Sequence, residues 1–274
     1  MSTREQVLIG ADELARRLDA GEPITLLDVR WELAQPDGTA AYELGHLPGA
    51  VYVSLDDELS DHSVAGRGRH PLPSGAALQS AARRWAVRTG VPVVVYDDWN
   101  RAGSSRAWWV LTAAGIPDVR ILDGGLAAWT GELQTGTVVP EPGDVTVPHH
   151  DLYAGARRTV TADGAGQAAA LLDARAPERF RGEVEPVDAV AGHIPGARNL
   201  PSTQLLAETG AWLPEADLTR LFDGLDDDVA VYCGSGVTAA VTVAALAAVG
   251  IDAALFPGSW SQWSSEPSRP VATG

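Results

Sequence analysis

The sequence predicts an α/β protein of two tandem domains, each built on a parallel sheet flanked by helices on both faces. Two observations favour this fold class. Short apolar runs that end at polar residues alternate with alanine-rich stretches of helical length, which is typical of buried parallel strands and their crossover helices. The same set of segments also occurs twice, in the same order, within the 274 residues.

Four segments of the first half recur in the second half at a nearly constant offset. They are Leu-Leu-Asp-Val-Arg at 26–30 with Leu-Leu-Asp-Ala-Arg at 171–175, Gly-His-Leu-Pro-Gly-Ala at 45–50 with Gly-His-Ile-Pro-Gly-Ala at 192–197, Val-Val-Val-Tyr-Asp at 93–97 with Val-Ala-Val-Tyr-Cys at 229–233, and Gly124-Gly125 with Trp129 against Pro257-Gly258 with Trp263. The repeat is too long for a solenoid. We therefore expect domains at 5–130 and 159–270, joined by a linker at 131–158 that holds three prolines and four glycines.

The elements of each copy follow from this alternation. Apolar runs predict strands at 24–28, 92–96, 169–173 and 228–232. Length and alanine content predict helices at 75–88, 103–114, 214–222 and 236–249, and the third of these has proline at its first position. Because ligands of such sheets bind beyond the carboxyl ends of the strands, the residue after 228–232 lies where a binding crevice is expected.

That residue is Cys233, the only cysteine of the chain. Gly234-Ser235-Gly236 follows it as a turn, and the predicted helix then begins, so backbone N–H groups and a helix N-terminus can face the sulfur and favour a thiolate. A buried core thiol is the alternative, but a core thiol does not need glycines on both sides of a serine. In the first copy Asp97 takes the position of the thiol, so that domain has no nucleophile.

Composition excludes several classes of function. A net charge of −16 and a pI near 4.6 argue against a nucleic-acid partner. One cysteine cannot form an internal disulfide, the N-terminus lacks a signal-peptide apolar segment, and the longest apolar run, 239–249, is too short to span a bilayer. We expect a cytoplasmic protein with no membrane partner. The 20 basic residues are all arginine, which excludes a pyridoxal-phosphate lysine, and the histidines lack metal-ligand spacing, so we expect no metal and no cofactor.

The motifs together resemble those of the tandem-domain rhodanese family of sulfurtransferases. The resemblance rests on Asp-x-Arg, Gly-His-Ile/Leu-Pro-Gly-Ala, Tyr-Cys-x-x-Gly-x-Thr-Ala and Pro-Gly-Ser-Trp, and covers about residues 6–263. It implies two rhodanese-like domains. The loop 233–238 is most similar to that of the 3-mercaptopyruvate sulfurtransferase branch, and less similar to that of the thiosulfate branch (rhodanese proper), whose loop usually carries basic residues after the cysteine.

The resemblance implies a ping-pong sulfur transfer. Cys233 would attack the sulfur of 3-mercaptopyruvate, with thiosulfate as the weaker donor, form a persulfide and release pyruvate or sulfite. Because the chain has no second cysteine, the outer sulfur would pass to an acceptor from solution: thioredoxin, glutathione or another low-molecular-weight thiol, or cyanide.

The resemblance also implies the site residues. Arg179 would be the main substrate arginine, the loop residues Gly234, Gly236, Val237 and Thr238 would bind substrate, and Trp31 would line the interdomain cleft. Asp37, His46 and Ser235 would form a relay that manages protons while Cys233 attacks. The alternative for His46 is a packed turn residue, since His193 occupies the identical motif of the other copy, and the placement of Asp37 depends on loop length.

Three arginines after a strand end suit an anionic donor, because a guanidinium stays charged and grips a carboxylate or sulfonate bidentately. Of these, Arg175 is expected to form a structural salt bridge with a local acid. A second substrate arginine, which mercaptopyruvate members often carry, is absent from the acidic segment 183–191, and Arg181 is the candidate to replace it. That absence favours thiosulfate as the alternative donor.

Two other functions are compared with sulfur transfer. Phosphatases and arsenate reductases on this fold use Cys-x5-Arg, in which the arginine is the sixth residue after the cysteine, and here that residue is Ala239, which excludes them. A non-turnover persulfide carrier or regulatory module stays open. A carrier would give one stoichiometric burst, whereas an enzyme releases product continuously.

Overall fold

The computed structural model describes residues 1–274 and contains two all-parallel sheets. The first has the order β1 (Leu8–Ile9), β5 (Val119–Leu122), β4 (Val93–Tyr96), β2 (Thr25–Asp28), β3 (Val51–Tyr52). The second has the order β7 (Arg198–Asn199), β6 (Ala170–Asp173), β8 (Val229–Tyr232), β9 (Ala254–Leu255). The predicted α/β class with two parallel sheets is confirmed.

The central strands of the two sheets are equivalent. Leu27 of β2 pairs with Val95 of β4, and Leu172 of β6 pairs with Val231 of β8. Three of these four strands are buried at every residue, which explains why they read as continuous apolar runs. The edge strands β1, β3, β7 and β9 span two residues each, too few for a periodic pattern, and the sequence did not predict them.

Helices cover the sheets. Those of the first half are α1 (Thr3–Val7), α2 (Ala11–Asp19), α3 (Thr39–Leu44), α4 (Leu55–Glu58), α5 (Gly75–Arg84) and α6 (Ala102–Ala113). Those of the second half are α7 (Ala162–Gln167), α8 (Pro177–Phe180), α9 (Glu215–Leu221), α10 (Ala239–Ala248) and α11 (Ser259–Trp263). The predicted helix 75–88 ends early, because Ala86 adopts a left-handed conformation with φ of 63°.

The largest core joins the two halves. Helices α6 and α10 pack against each other and are buried almost throughout, so one cluster of 52 buried residues extends between the sheets. Two smaller clusters of 8 and 10 buried residues lie in the first and the second half. This shared core places the first half directly against the loop that follows β8.

The segment 131–158 runs along the first half. Its only regular element is a single 3₁₀ turn at Leu152–Ala154. Backbone bonds from Gly143 and Val145 to the α5 region, and burial of Val145 and Val147, hold it in place. No helix of the chain has the length and apolarity needed to cross a bilayer.

Candidate active site

The nucleophile loop, residues 233–238, wraps its backbone around the sulfur. Cys233 directly follows β8, and the Gly236 N–H donates to its Sγ at 3.2 Å. Helix α10 starts at Ala239, so its positive N-terminal end lies just beyond the loop. Only 1% of Cys233 is exposed. The loop therefore presents a backbone donor to the sulfur in a site that excludes bulk water.

The segment 257–260 holds this loop from behind. Ser259 Oγ accepts the Cys233 N–H at 3.1 Å, and Trp260 N–H donates to the Cys233 carbonyl at 3.0 Å. Gly236 has φ of +80°, and a Cβ there would collide with the Pro257 carbonyl oxygen. These contacts explain why Pro-Gly-Ser-Trp occurs with the cysteine motif, and why the position of Gly236 requires glycine.

A histidine of the first half bonds to the loop serine. His70 Nδ1 lies 2.7 Å from Ser235 Oγ, and His70 Nε2 lies 3.4 Å from Asp56 Oδ1. Trp31 Nε1 donates to the same Asp56 oxygen at 3.0 Å. The result is a continuous chain Asp56–His70–Ser235 that ends two residues from Cys233.

Charge and burial keep the His70 ring neutral. Burial first, and then the guanidiniums of Arg106 and Arg69, lower the pKa of His70 to about 3. With Nε2–H directed at Asp56, Nδ1 is the acceptor for the Ser235 hydroxyl. The arrangement can therefore accept a hydrogen bond from Ser235 and orient its hydroxyl beside the nucleophile.

The predicted relay through His46 and Asp37 is wrong. His46 is buried, its ring stacks on Tyr42 with centroids 4.0 Å apart, and its Nδ1 bonds to the Tyr42 carbonyl. His193 stacks on Phe180 in the same way, so both Gly-His-x-Pro-Gly histidines are packed turn residues. Asp37 is on the surface, where hydrogen bonds from Thr39 lower its pKa.

Two arginines reach the loop from opposite halves. A methyl group built on Gly234 would lie 3.4 Å from Arg69 Nη2 and 3.5 Å from Arg179 Nη1. Arg179 thus lies where the sequence placed the substrate arginine. Arg69 is the other arginine beside Gly234, and it comes from the first half of the chain and not from the segment 183–191.

Two carboxylates face these arginines. Arg69 Nη1 bonds to Asp188 Oδ1 at 2.7 Å across the interdomain cleft, and Arg179 Nη2 bonds to Glu185 Oε1 at 2.6 Å. Asp188 Oδ2 is buried, has no hydrogen-bond partner, and lies 3.6 Å from Arg179 Nη2. The four groups sum to zero charge, so the anion site is neutral before a donor binds.

The other arginines of this region are structural. Arg175 pairs with Asp173 at 2.7 Å and bonds to the Gly192 carbonyl, which confirms the predicted salt bridge. Arg181 pairs with Glu183 on the surface. Arg181 is therefore not the replacement for a second substrate arginine.

The first copy has no comparable chemistry at the matching position. Asp97 follows β4 as Cys233 follows β8, but its carboxylate is bound by Arg101 at 2.9 Å and by Ser104. Elsewhere in the chain, no three His, Cys, Asp or Glu side chains converge as a metal site would require.

Sequence reasoning missed Asp56, His70 and Arg69. The available signal is asymmetry between the copies, because Asp56, Arg69 and His70 do not recur in the second half, whereas Gly-His-x-Pro-Gly occurs in both. A histidine shared by an active and an inactive copy is better explained by folding. A histidine that occurs in only one copy is the better candidate for a role in the active site.

The rhodanese-like domain model matches the chain twice, at residues 10–132 and 160–266. The "Putative thiosulfate sulfurtransferase SseB" of Mycobacterium tuberculosis is 65% identical over 282 residues, covering 100% of this chain and 99% of that protein. The 3-mercaptopyruvate sulfurtransferase of Escherichia coli K12 is 36% identical over 280 residues, covering 96% of each chain.

A solved structure has the same fold. The crystal structure of SseA from Escherichia coli, described as a 3-mercaptopyruvate sulfotransferase, superposes with a TM-score of 0.78 at 35% identity. The match covers 93% of this chain and 98% of that one.

Proposed function

This chain belongs to the rhodanese family and is a sulfurtransferase, and from that premise we propose that it takes sulfur from 3-mercaptopyruvate through a Cys233 persulfide. Thiosulfate is the weaker donor, and a thiol or cyanide is the acceptor. The observation that carries the choice of donor is the 2.7 Å bond between Ser235 Oγ and His70 Nδ1 beside the nucleophile.

The two donors differ in what their leaving groups need. When the Cys233 thiolate attacks the mercaptopyruvate sulfur, the C–S bond breaks and its electron pair stays on carbon as the enolate of pyruvate. That carbon then needs a proton, and the S–H proton of the donor itself balances the step, because the product is a persulfide anion, if the Ser235 hydroxyl beside His70 relays that proton to the carbon. Sulfite, the leaving group of thiosulfate, needs no such proton. A neutral His70 beside Ser235 thus supports mercaptopyruvate.

The charges around Gly234 support the same donor. Arg69 and Arg179 can grip the carboxylate of a monoanion. Thiosulfate is a dianion, and its second charge would face Asp188 and Glu185, which already neutralise the two guanidiniums. A site with no net charge therefore favours the donor that carries less charge.

For the second step of the catalytic cycle, the chain itself supplies no sulfur acceptor. Since the chain has one cysteine, a thiolate or cyanide from solution attacks the outer sulfur, and the Cys233 thiolate is the leaving group.

Thiosulfate as the preferred donor is the second candidate. Similarity to the Mycobacterium tuberculosis protein that is named a thiosulfate sulfurtransferase favours it, and so does the absence of an arginine between residues 183 and 191. Against it is the loop, which carries no basic residue from 234 to 238, while the Asp56–His70–Ser235 chain ends beside the sulfur.

Replacing the nucleophile tests the proposal. Incubated with mercaptopyruvate alone, the wild-type protein should gain the mass of one sulfur atom and release one equivalent of pyruvate, and excess thiol should reverse the mass gain. Cys233→Ser should show neither. Intact-mass spectrometry and a pyruvate assay measure both, and sulfur transfer that survives in Cys233→Ser contradicts the mechanism.

The same reaction separates an enzyme from a carrier. With mercaptopyruvate and cyanide both in excess, we expect pyruvate and thiocyanate to accumulate over many turnovers. Release that stops after one equivalent per protein chain would instead identify a persulfide carrier.

A further inference from the structure

Arg106 is a buried cation between the two halves of the site. It lies on α6, and its side chain is fully buried. The guanidinium donates to three backbone carbonyls: those of Leu59 and His70, each at 3.0 Å, and that of Gly236 at 3.3 Å. Its Nε has no hydrogen-bond partner. One side chain thus ties the residue that bonds to Ser235 to the nucleophile loop.

Arg106 differs from the other buried arginines in having no carboxylate. Arg30, Arg101 and Arg175 pair with Asp28, Asp97 and Asp173, and Arg120 pairs with Glu13 and Asp118. No acidic oxygen lies within ion-pair distance of Arg106. A buried charge without a counter-charge is costly. Burial lowers the pKa of Arg106 to about 10, which still leaves the guanidinium charged at neutral pH.

Two ionisable groups that can become anions are near enough to act on Arg106: Tyr153 and Cys233. Burial raises the pKa of Tyr153, so the phenol stays neutral. The sulfur is then the remaining group that can carry a negative charge, and Gly236 connects it with Arg106, because its N–H donates to Sγ and its carbonyl accepts from Arg106.

We propose that Arg106 is a positioning residue whose buried positive charge holds the Cys233 sulfur as an anion, first as the thiolate and, after transfer, as the persulfide. The persulfide half rests on the proposed function. The thiolate half does not, because it can be measured without any donor. The proposal explains how a loop without basic residues activates its cysteine: the charge comes from the other half of the chain.

The positive charge of Arg106 also disfavours activation of Cys233 by a protonated histidine. A cysteine is often activated by a protonated histidine, but Arg106 lies against the backbone of His70 and opposes protonation of its ring. The groups whose charge bears on a pH titration of this loop come from every surrounding element. They are Arg106 and Tyr153, His70 with Asp56 and His62 behind it, and Arg69, Arg179, Glu185 and Asp188 over Gly234.

Replacing Arg106 with and without retention of charge tests the proposal. We expect Arg106→Gln to move the pH midpoint of thiolate formation upward by about one unit and to slow iodoacetamide alkylation at pH 6.5 about tenfold. Arg106→Lys should stay within about twofold of wild type, because it keeps the charge. Absorbance at 240 nm follows the thiolate, with Cys233→Ser as the blank.

Arg101→Gln is the matched control, because Arg101 is also buried but pairs with Asp97. It should lose stability without moving the midpoint. An Arg106→Gln midpoint equal to that of wild type or of Arg101→Gln overturns the proposal, whether or not the protein transfers sulfur.

A second measurement needs no variant of Arg106. In wild-type protein, the ¹⁵Nε resonance of Arg106 should titrate with the same midpoint as the 240 nm absorbance, and should not titrate in Cys233→Ala. If the resonance does not change across the thiol titration, the proposal is wrong even where Arg106→Gln fails to fold.

Discussion

At the scale of single residues, the site depends on a histidine that folding keeps neutral. His70 is 3% exposed and lies near two arginines, so protonation of its ring is opposed by both burial and charge. That neutrality makes Nδ1 a hydrogen-bond acceptor for Ser235. The same property links the chemistry of the site to the stability of the fold.

How stability depends on pH follows from the pKa of His70 in the folded and in the unfolded chain. The pKa of His70 is about 3 when folded and about 6.5 in an unfolded chain. The unfolded state therefore binds more protons between these values. The contribution to stability is full above about pH 6.5 and decreases as the pH falls towards 3.

Lowering the pH from 7 to 5 should reduce the free energy of unfolding of the wild-type protein by about 2 kcal/mol more than that of His70→Gln. Urea unfolding at the two pH values measures this difference. His150→Gln, which removes an exposed imidazole, should behave as wild type. An equal acid sensitivity of wild type and His70→Gln would show that His70 is not held neutral.

Residue type alone could not show which histidine belongs to the site. His46 and His70 are both near prolines, and only the stack on Tyr42 shows that the first is a packing residue. Cys233, Ser235 and Arg179 could be placed from sequence because they lie in or near motifs directly after strand ends. Asp56, His70 and Arg69 come from irregular chain and a single helical turn, whose path depends on packing against the other half.

At the scale of elements, apolar runs predicted the strands that are buried and long enough to form such a run. The four central strands were placed within one residue, as were the helices α6 and α9, whereas the two-residue edge strands carry no period. The predicted helix 236–249 starts later, at Ala239, because the first residues wrap around the sulfur.

The segment 183–191 has a role that its acidity alone did not reveal. Its Glu185 and Asp188 neutralise Arg179 and Arg69, and hydrogen bonds from Arg179 hold the pKa of Glu185 low despite burial. An anionic donor must therefore compete with carboxylates of the protein itself. We therefore expect the segment to limit how much charge a donor can carry.

Asp188→Asn should raise kcat/KM for thiosulfate relative to mercaptopyruvate by about threefold, which corresponds to roughly 0.7 kcal/mol for a partly exposed pair. The dianion gains more than the monoanion when a facing negative charge is removed. Glu183→Gln, in the exposed pair with Arg181, is the control and should leave the ratio unchanged. If the ratio stays constant or falls in Asp188→Asn, the segment does not select by charge.

At the scale of the molecule, duplication produced one site from two different halves. The second half supplies Cys233, Ser235 and Arg179, and the first supplies Asp56, His70 and Arg69. Their alignment depends on the core that α6 and α10 share. The halves are therefore expected to lose their structure together.

Thermal unfolding should show one cooperative transition, because separating the halves would expose the largest apolar cluster of the chain. Differential scanning calorimetry tests this, with equal calorimetric and van't Hoff enthalpies expected. Two resolved transitions would mean that each half is stable without the shared core.

The central claim is that the Asp56–His70–Ser235 chain selects mercaptopyruvate by delivering a proton to carbon. Its most direct test is kcat/KM for both donors, with cyanide as the common acceptor, in wild type and Ser235→Ala. Ser60→Ala, which removes a buried hydroxyl without a hydrogen-bond partner, is the control. The account predicts that wild type and Ser60→Ala prefer mercaptopyruvate, and that Ser235→Ala loses about 100-fold with mercaptopyruvate but less than about threefold with thiosulfate. A wild-type preference for thiosulfate, or an equal loss with both donors in Ser235→Ala, would contradict it.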